Sequence, residues 1–132
     1  MANAMYPKGK EGLLNADIDL LVDTIKVVLI DTGTVSYNSA HDYYNDISAG
    51  AVGTPVALGS KTTTNGVFDS ADPTMTGVSG STAEALVIYK DTGSAATSAL
   101  IAWYDTGVTG LPLTPNGGDV TITVHASGWF AL

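Results

Sequence analysis

The chain has 132 residues, with 13 acidic and five basic side chains and a formal net charge of −8. Nucleic acids and anionic membrane surfaces are bound through clustered Lys and Arg, so the scattered basic residues argue against both as partners. The lack of cysteine excludes disulfides and thiolate chemistry, and the lack of any run of about 18 apolar residues argues against a membrane span.

The beginning of the chain carries no apolar segment of the kind that a secretory signal needs. We predict an extended N-terminal arm over residues 1–12 and one domain over residues 13–132, a length that can bury its own core. Residues 13–22 fit either a helix or a strand. The alternation of acidic and apolar side chains over residues 17–20 favours a strand with one polar face.

The clearest strand and the best helix candidate come next. Residues 25–30, "IKVVLI", are apolar and β-branched for the most part, and a turn signal follows them. Residues 39–47, "SAHDYYNDI", are the best helix candidate, because Ser39 can cap the first turn and Asp42 stands three residues further on, as in a capping box. We therefore predict one short helix in this part of the chain.

From Pro55 onward the pattern is β throughout. Short runs suited to strands alternate with Gly- and Pro-rich turn signals, and the stretch "VTITVHA" has a strict period of two. Hardly any helical pattern remains that could connect parallel strands. The sequence therefore predicts a mainly β, antiparallel domain of the sandwich or barrel type.

The segments Leu86–Tyr89 and Leu100–Tyr104 are predicted to form a hairpin that is apolar on both faces. A sheet with one face in water alternates apolar and polar residues, so this hairpin needs cover on both sides. No third layer is evident within the chain, and charged residues make up only 14% of it, against about 25% in an average domain. We therefore expect part of this surface to be buried between chains, in an oligomer or a larger assembly.

The tripeptide Asp-Thr-Gly occurs at Asp31–Gly33, Asp91–Gly93 and Asp105–Gly107. The stretch "VLIDTGTV" resembles the active-site strand of retroviral-type aspartic proteases, in which two aspartates about 3 Å apart share one proton. Such a protease also needs a Gly-rich flap, and no segment of the chain fits one. Turn chemistry explains the tripeptide better, with Asp accepting backbone N–H bonds and Gly adopting a positive φ.

Other candidate sites are weak in the sequence. Asp17, Asp19 and Asp23 are closely spaced, but apolar residues stand where a calcium loop needs ligands and no Gly marks the bend. His41 and His125 are the only histidines, and nothing in the sequence brings them together. We therefore predict no catalytic residue, no metal ligand and no cofactor.

The aromatic residues allow two interpretations. They could line a groove for a sugar, or they could pack in the core and at an interface. No convergent polar set accompanies the rings, which favours packing. The residues concerned are Tyr37, Tyr43, Tyr44, Tyr89, Trp103, Tyr104, Trp129 and Phe130.

Three stretches, "YPKGKEGLLNADIDLLVDTIKVVLIDTG", "ALVIYKDTG" and "GLPLTPNGGDVTITV", are similar to a family of small virion proteins of tailed bacteriophages. The resemblance covers most of the chain, and residues 38–80 are the least distinctive part. It implies a non-catalytic capsid decoration (cement) protein with a β-sandwich or jelly-roll fold, located on the outside of the virion and made in the host cytoplasm. Its implied partners are the major capsid protein and further copies of itself.

A closed trimer would match the local three-fold axes of a capsid shell, and we expect one. The residues predicted to lie at interfaces are Tyr6, Pro7, Leu86, Ile88, Trp103, Tyr104, Trp129 and Phe130. Two alternatives stay open: a receptor- or glycan-binding virion module and, least favoured, an enzyme similar to aspartic proteases.

Overall fold

In the computed structural model, residues 3–132 are described, and nine short strands and one helix are assigned among them. No helix in this range is both long enough and apolar enough to cross a lipid bilayer. The elements are β1 (Ala4–Met5), α1 (Pro7–Leu14), β2 (Ile25–Ile30), β3 (Ala51–Ala57), β4 (Val67–Phe68), β5 (Thr74–Met75), β6 (Ala85–Lys90), β7 (Leu100–Tyr104), β8 (Val120–Thr121) and β9 (Phe130–Ala131). Single 3₁₀ turns occupy Tyr44–Asp46, Ser48–Gly50 and Thr64–Gly66.

The core of the fold is one five-stranded sheet with the order β1-β7-β6-β2-β3. Every neighbouring pair in it is antiparallel. The remaining strands form two small antiparallel ribbons, β4-β9 and β5-β8. The prediction of a mainly β, antiparallel domain is therefore confirmed. The layer opposite the sheet consists of these ribbons and the loops between them, not of a second large sheet.

Side chains alternate between two apolar clusters, one on each face of the sheet. Val27 and Leu29 face the two ribbons and pack with Phe68 and Met75, and we call this side the ribbon face. Val28 and Ile30 face the loop of residues 31–50, and we call that side the loop face. Period-two strands place consecutive side chains on opposite faces, so an all-apolar strand contributes to both clusters. Both clusters are buried.

The chain covers its own hairpin, so the expectation that a second chain is needed for this burial is wrong. Leu86 and Ile88 are no more than 1% exposed on the ribbon face. Trp103 is 1% exposed on the loop face, where Ile47 packs in the same cluster and Tyr44 stacks on Tyr89 with ring centroids 4.5 Å apart. Irregular segments, among them the stretch of residues 39–47 that the sequence predicts as a helix, carry enough apolar side chains to cover both faces.

A β-bulge explains why two consecutive residues of β7 share one face. Ile88 pairs with Ala102 and Tyr89 pairs with Leu100, which leaves Ile101 as the extra residue. Ile101 and Ala102 both join the ribbon-face cluster as a result. The alternation of side chains in a regular strand is thus interrupted once in β7, inside the buried hairpin.

Both edges of the main sheet are blunted. The β3 edge contains Gly53, with a φ of 73°, and Pro55, which cannot donate to a further strand. At the other edge, β1 contributes only two residues, and the backbone N–H of Leu100 donates to Asp42 O at 3.0 Å. These features oppose the addition of a strand from another chain.

The prediction of an extended N-terminal arm is wrong for the part of it that the structure describes. The backbone N–H of Tyr6 donates to Ile101 O at 2.8 Å, and α1 then packs against β7. Gly9 permits this approach, because a Cβ built there would lie 2.7 Å from both Ile101 Cα and Leu100 O. Residues 1–2 of the predicted arm lie outside the described residues.

The structure also differs from the predictions of a helix at 39–47 and of a strand at 17–20. The first forms an irregular stretch and a 3₁₀ turn, in which the Asp46 carboxylate accepts the N–H groups of Asp42 and Tyr43 at 2.8 and 3.3 Å. The second forms a turn that follows α1. In both places side-chain acceptors close turns on the backbone, which competes with regular structure.

Candidate interaction surface

Three large aliphatic side chains are exposed close together in sequence, at the end of α1 and in the turn that follows it. Leu14 is 87% exposed, Leu21 is 52% exposed and Val22 is 79% exposed. We call residues 13–23 the apolar tip. Most other aliphatic side chains of residues 3–132 lie in the two clusters, which makes this segment the candidate for an interaction surface.

Two aspartates fix the backbone of the apolar tip. Asp19 Oδ1 accepts the N–H groups of Leu21 and Val22 at 3.0 and 3.2 Å. Asp23 Oδ2 accepts the N–H of Asp19 at 2.8 Å, and the N–H of Asp23 donates to Asp19 O, also at 2.8 Å. This reciprocal closure holds the two exposed aliphatic residues in a defined turn.

Two lysines tie the back of the tip to the domain. Lys90 Nζ donates to Asp17 O at 2.6 Å and lies 3.2 Å from Asp23 Oδ2. Lys61 Nζ donates to Asp23 O, and Ile18 is buried in the ribbon-face cluster. The tip is therefore anchored on one side and exposed on the other.

The electrostatics of the tip follow from these contacts. The pKa of Asp23 is lowered, first by the N–H of Asp19 and then by Lys90 and Lys61, against the opposing effect of burial. Lys90 neutralises Asp23, whereas Asp17 and Asp19 are exposed carboxylates beside the aliphatic side chains. Lys10 is also exposed, one helical turn before Leu14, so the charge around the aliphatic side chains is mixed.

A shallow depression of about 300 Å³ joins the helix end to the turn. It is lined by Leu13, Ala16, Ile18, Asp19, Leu20, Leu21 and Thr63. Apolar groups dominate this lining and one carboxylate borders it, an arrangement that suits contact with an apolar side chain of a protein partner.

A second concave region lies beside Tyr104 and Trp129. The Tyr104 hydroxyl donates to Trp129 O at 2.7 Å, the two rings are 5.4 Å apart, and burial raises the pKa of the Tyr104 hydroxyl. Trp129 is only 8% exposed, so little of its face is free for stacking. The cleft has a volume of about 420 Å³ and is lined by Asn3, Tyr104, Thr106, Gly107, Val108, Thr123, His125, Gly128 and Trp129.

The three Asp-Thr-Gly aspartates do not form a pair within the chain. Asp31 and Asp105 follow β2 and β7, which lie on either side of β6. Strands two places apart are about 10 Å apart, whereas a shared proton needs a separation of about 3 Å. Asp91 follows β6, which runs antiparallel to both β2 and β7, and so stands at the opposite end of the sheet.

Turn chemistry accounts for two of these aspartates. Asp31 Oδ1 accepts the N–H of Gly33 at 2.8 Å, and Asp91 Oδ1 accepts the N–H of Gly93 at 3.1 Å. Gly93 has a φ of 86°, as predicted, and Gly33 does not have a positive φ. The pKa of Asp91 is lowered, first by a hydrogen bond from Lys26 and then by the N–H of Gly93.

Asp105 lies in a depression of about 460 Å³ at the end of the sheet, together with Glu84. Trp103 Nε1 donates to Asp105 Oδ2 and Thr106 Oγ1 donates to Asp105 Oδ1, both at 3.0 Å. Burial acts to raise the pKa of Asp105, but hydrogen bonds, among them these two, outweigh burial and lower it. The carboxylate is thus engaged in structural contacts.

The two histidines occupy different parts of the fold. His125 lines the cleft beside Tyr104, with its Nδ1 accepting the N–H of Ser127 at 3.0 Å. His41 belongs to the loop of residues 31–50, which covers the other face of the sheet. Within residues 3–132, no three side chains of the metal-ligating types are grouped so that they could hold an ion.

The structure separates the predicted interface residues into buried and accessible ones. Tyr6, Leu86, Ile88 and Trp103 are buried inside the chain and offer no surface to a partner, and Trp129, at 8% exposed, offers little. The accessible ones are exposed Pro7 at the start of α1 and the half-buried Tyr104 and Phe130.

Sequence reasoning missed the apolar tip. The available signal was the run of Leu20, Leu21 and Val22 between Asp19 and Asp23, because two capping carboxylates around so short a segment favour a turn. No protein-family model and no curated protein matches the chain.

Proposed function

We propose that the chain is a non-catalytic structural protein of a tailed-bacteriophage virion, which binds the outside of the capsid and stabilises it. The observation that carries this proposal is the apolar tip, a fixed and exposed aliphatic surface on a domain whose other aliphatic side chains are mostly buried. The tip lies within "YPKGKEGLLNADIDLLVDTIKVVLIDTG", the longest of the stretches that are similar to phage virion proteins.

The scaffold suits a role that needs rigidity. Both faces of the main sheet are buried and both of its edges are blunted. A decoration protein occupies many equivalent positions on a shell, so modest affinity at each contact is multiplied when a particle is held together by many copies. The major capsid protein is the partner in this proposal, and the sheet with its two ribbons serves as an open form of the β-sandwich.

The oligomeric state in this proposal rests on symmetry. Because the chain covers its own hairpin, burial gives no reason for self-association. A closed trimer would still match three-fold positions on a shell, and it remains part of the proposal for that reason. Analytical ultracentrifugation at micromolar concentration tests it directly, and a sharp monomer boundary would rule out a stable trimer in solution.

Co-sedimentation with capsids that lack the protein tests the proposed function. The purified chain is mixed with shells from the encoding phage, and the shells are pelleted through sucrose. We expect the chain to pellet in a saturable ratio to the capsid protein and to raise the temperature at which the shells open. A chain that stays in the supernatant at concentrations well above those of the capsid sites would contradict the proposal.

A second candidate function is binding of a glycan receptor, and the cleft beside Tyr104 favours it. Thr123 and His125 supply polar groups to a concave region of about 420 Å³ that also contains the edge of Trp129. A glycan array separates this function from capsid binding, because selective binding that Thr123→Val abolishes would support the receptor role. Uniformly low binding across the array would leave the cleft without this function.

A further inference from the structure

We propose that Asn65 is a site of spontaneous deamidation in the folded chain, a covalent modification that needs only water and does not depend on the proposed function. The dipeptide Asn-Gly occurs twice, at residues 65–66 and 116–117, and both asparagines are exposed. Asparagine is a thermolabile residue, and a glycine that follows it has no Cβ to hinder the approach of its nitrogen. The two dipeptides differ in what holds their reacting atoms.

The reaction is an intramolecular substitution at the side-chain amide. The backbone nitrogen of the glycine loses its proton and forms a bond to Cγ of the asparagine, while the amide nitrogen takes up a proton and leaves as ammonia. Water then opens the resulting succinimide ring at one of its two carbonyls. The product is either Asp or an isoaspartyl residue, in which the main chain continues through the side-chain carbon. No electrons are gained or lost, and a neutral side chain becomes a carboxylate at neutral pH.

At Asn116, hydrogen bonds hold both reacting groups. Asn116 Oδ1 accepts the N–H of Gly118 at 2.9 Å. The N–H of Gly117 donates to Val78 O at 2.7 Å, and the N–H of Val78 donates to Gly118 O at 2.9 Å. Val78 is buried in the ribbon-face cluster. This turn is therefore tied to the core, and its amide and its nitrogen are both engaged.

At Asn65, less holds the reacting groups. Within residues 3–132, the Asn65 side chain makes no hydrogen bond. The N–H of Gly66 donates to Thr63 O at 3.1 Å, within a single 3₁₀ turn. Asn65 has a φ of 56° and a ψ of 29°, in the left-handed region that costs free energy for any residue except glycine. Opening this turn breaks one hydrogen bond and relieves that strain.

The difference in rate follows from this comparison. The reacting groups of residues 116–117 must give up two hydrogen bonds, whereas those of residues 65–66 give up one. The net contribution of one hydrogen bond changes the population of a locally open state by about fivefold. We therefore expect residue 65 to react at least about fivefold faster than residue 116 in the folded chain.

The isoaspartyl product changes the end of the β4-β9 ribbon. It adds one carbon to the main chain directly before Gly66. Gly66 O accepts the N–H of Leu132 at 2.9 Å, and a Cβ at Gly66 would lie 2.9 Å from Leu132 O, so the two segments are in close contact there. β4 begins at the next residue and carries Phe68, which is 1% exposed. The longer main chain should therefore loosen this ribbon.

Peptide mapping after incubation tests the proposal. The folded chain is kept in mildly alkaline buffer prepared with water enriched in heavy oxygen, then unfolded and digested with trypsin. Cleavage after Lys61 and Lys90 gives peptides 62–90 and 91–132, each of which contains a single Asn and no Gln. Heavy oxygen that mass spectrometry finds in a peptide is thus assigned to one residue. We expect it to accumulate in peptide 62–90 at least about fivefold faster than in peptide 91–132.

Two controls accompany this measurement. In urea, where neither turn is folded, both peptides should react at similar rates. The variant Asn65→Asp should leave peptide 62–90 unlabelled and the rate at Asn116 unchanged. Equal rates in the folded chain, or no reaction at Asn65 under conditions in which the chain in urea reacts, would overturn the proposal. A faster reaction at Asn116 would also overturn it, because the N–H of Gly118 would then activate the amide instead of holding it.

The effect on the ribbon has its own readout. Anion exchange separates the deamidated chain, which carries one additional negative charge, from the unreacted chain. We expect the isoaspartyl component to unfold at a lower urea concentration than Asn65→Asp, which carries the same charge on a main chain of normal length. Identical unfolding midpoints would show that the added carbon leaves the ribbon intact.

Discussion

Replacing Gly9 with Ala should destabilise the domain, although Ala is the better helix former. In the helix interior a change from Gly to Ala ordinarily stabilises by about 0.5–1 kcal/mol. Here the added Cβ would lie 2.7 Å from both Ile101 Cα and Leu100 O and 2.9 Å from Ile101 O. All three atoms belong to the backbone of a central hairpin strand, which cannot move aside as a flexible side chain can.

The size of the effect follows from the distance that is missing. Ordinary contact between carbon atoms needs about 3.5 Å, so α1 must withdraw from β7 by 3.5 − 2.7, or about 0.8 Å. A gap of that size forfeits about a quarter to a half of the dispersion energy across the contact. Overpacking of this kind costs about 1–3 kcal/mol, which leaves a net loss of up to about 2.5 kcal/mol after the gain in helix propensity.

Urea unfolding followed by tryptophan fluorescence measures this change, because Trp103 is 1% exposed in the folded chain. Gly59→Ala is the matched control: a Cβ at Gly59 meets no atom within 4 Å, and its effect should stay within about 0.5 kcal/mol. A Gly9→Ala variant as stable as the wild-type chain, or more stable, would refute the reasoning. It would show that the N-terminal segment does not pack against β7 and is the separate arm that the sequence predicts.

Two further changes test the contacts that hold loops to the sheet. Asp91→Asn should cost about 0.5–1 kcal/mol at pH 7, because it weakens the 2.9 Å ion pair with Lys26. Since the pKa of Asp91 is lowered in the folded chain, this contribution is complete above the ordinary Asp pKa of about 3.9 and is lost as pH falls through the folded value. The stabilities of variant and wild type should therefore converge at pH values below the folded pKa, and a constant difference would contradict the pairing. The control is Asp31→Asn, because Asp31 has no such ion pair with a lysine in the described part of the chain. Tyr104→Phe should cost about 1–2 kcal/mol, because Trp129 O loses its 2.7 Å hydrogen bond; no shift of the thermal midpoint in calorimetry would refute that estimate.

The strands of the main sheet could be predicted from the sequence because they combine apolar and β-branched residues between turn signals. Residues 25–30, 86–89 and 100–104 match β2, β6 and β7 to within a few positions. The two-faced apolar pattern was also interpreted correctly as burial on both sides. The prediction was wrong about which chain supplies this burial, because the apolar pattern of a strand carries no information about what packs against it.

Most of the cover has no periodicity in the sequence, and Ile122, which belongs to the period-two stretch "VTITVHA", is the exception. On the ribbon face, Phe68, Met75 and Ile122 come from two-residue strands or loops in Gly- and Thr-rich stretches. On the loop face, Ile47 lies between two 3₁₀ turns. Isolated apolar residues in such segments look like incidental loop residues in a sequence, and only the folded chain shows that they meet one sheet.

Helix α1 and the apolar tip were missed for related reasons. Gly9 and Gly12 lower helix propensity, and the sequence cannot show that both glycines make room for neighbouring atoms, at β7 and at Ile18 respectively. The tip combines alternating acidic and apolar residues, the usual signal for a strand, with carboxylates that close a turn instead. At these positions, the hydrogen bonds that the carboxylates accept from the backbone outweigh the strand preference of a four-residue alternation.

Whether a partner binds the hairpin or the apolar tip decides how much of this chain would have to move on assembly. An interface through the hairpin would need the loop of residues 31–50 or the ribbons to move, since they cover it. An interface through the apolar tip needs no such movement, because Leu14 and Val22 are exposed in the isolated chain. Binding without prior rearrangement avoids the slow association that a conformational change imposes. For assembly with a partner, the tip is therefore a more accessible surface than the sheet.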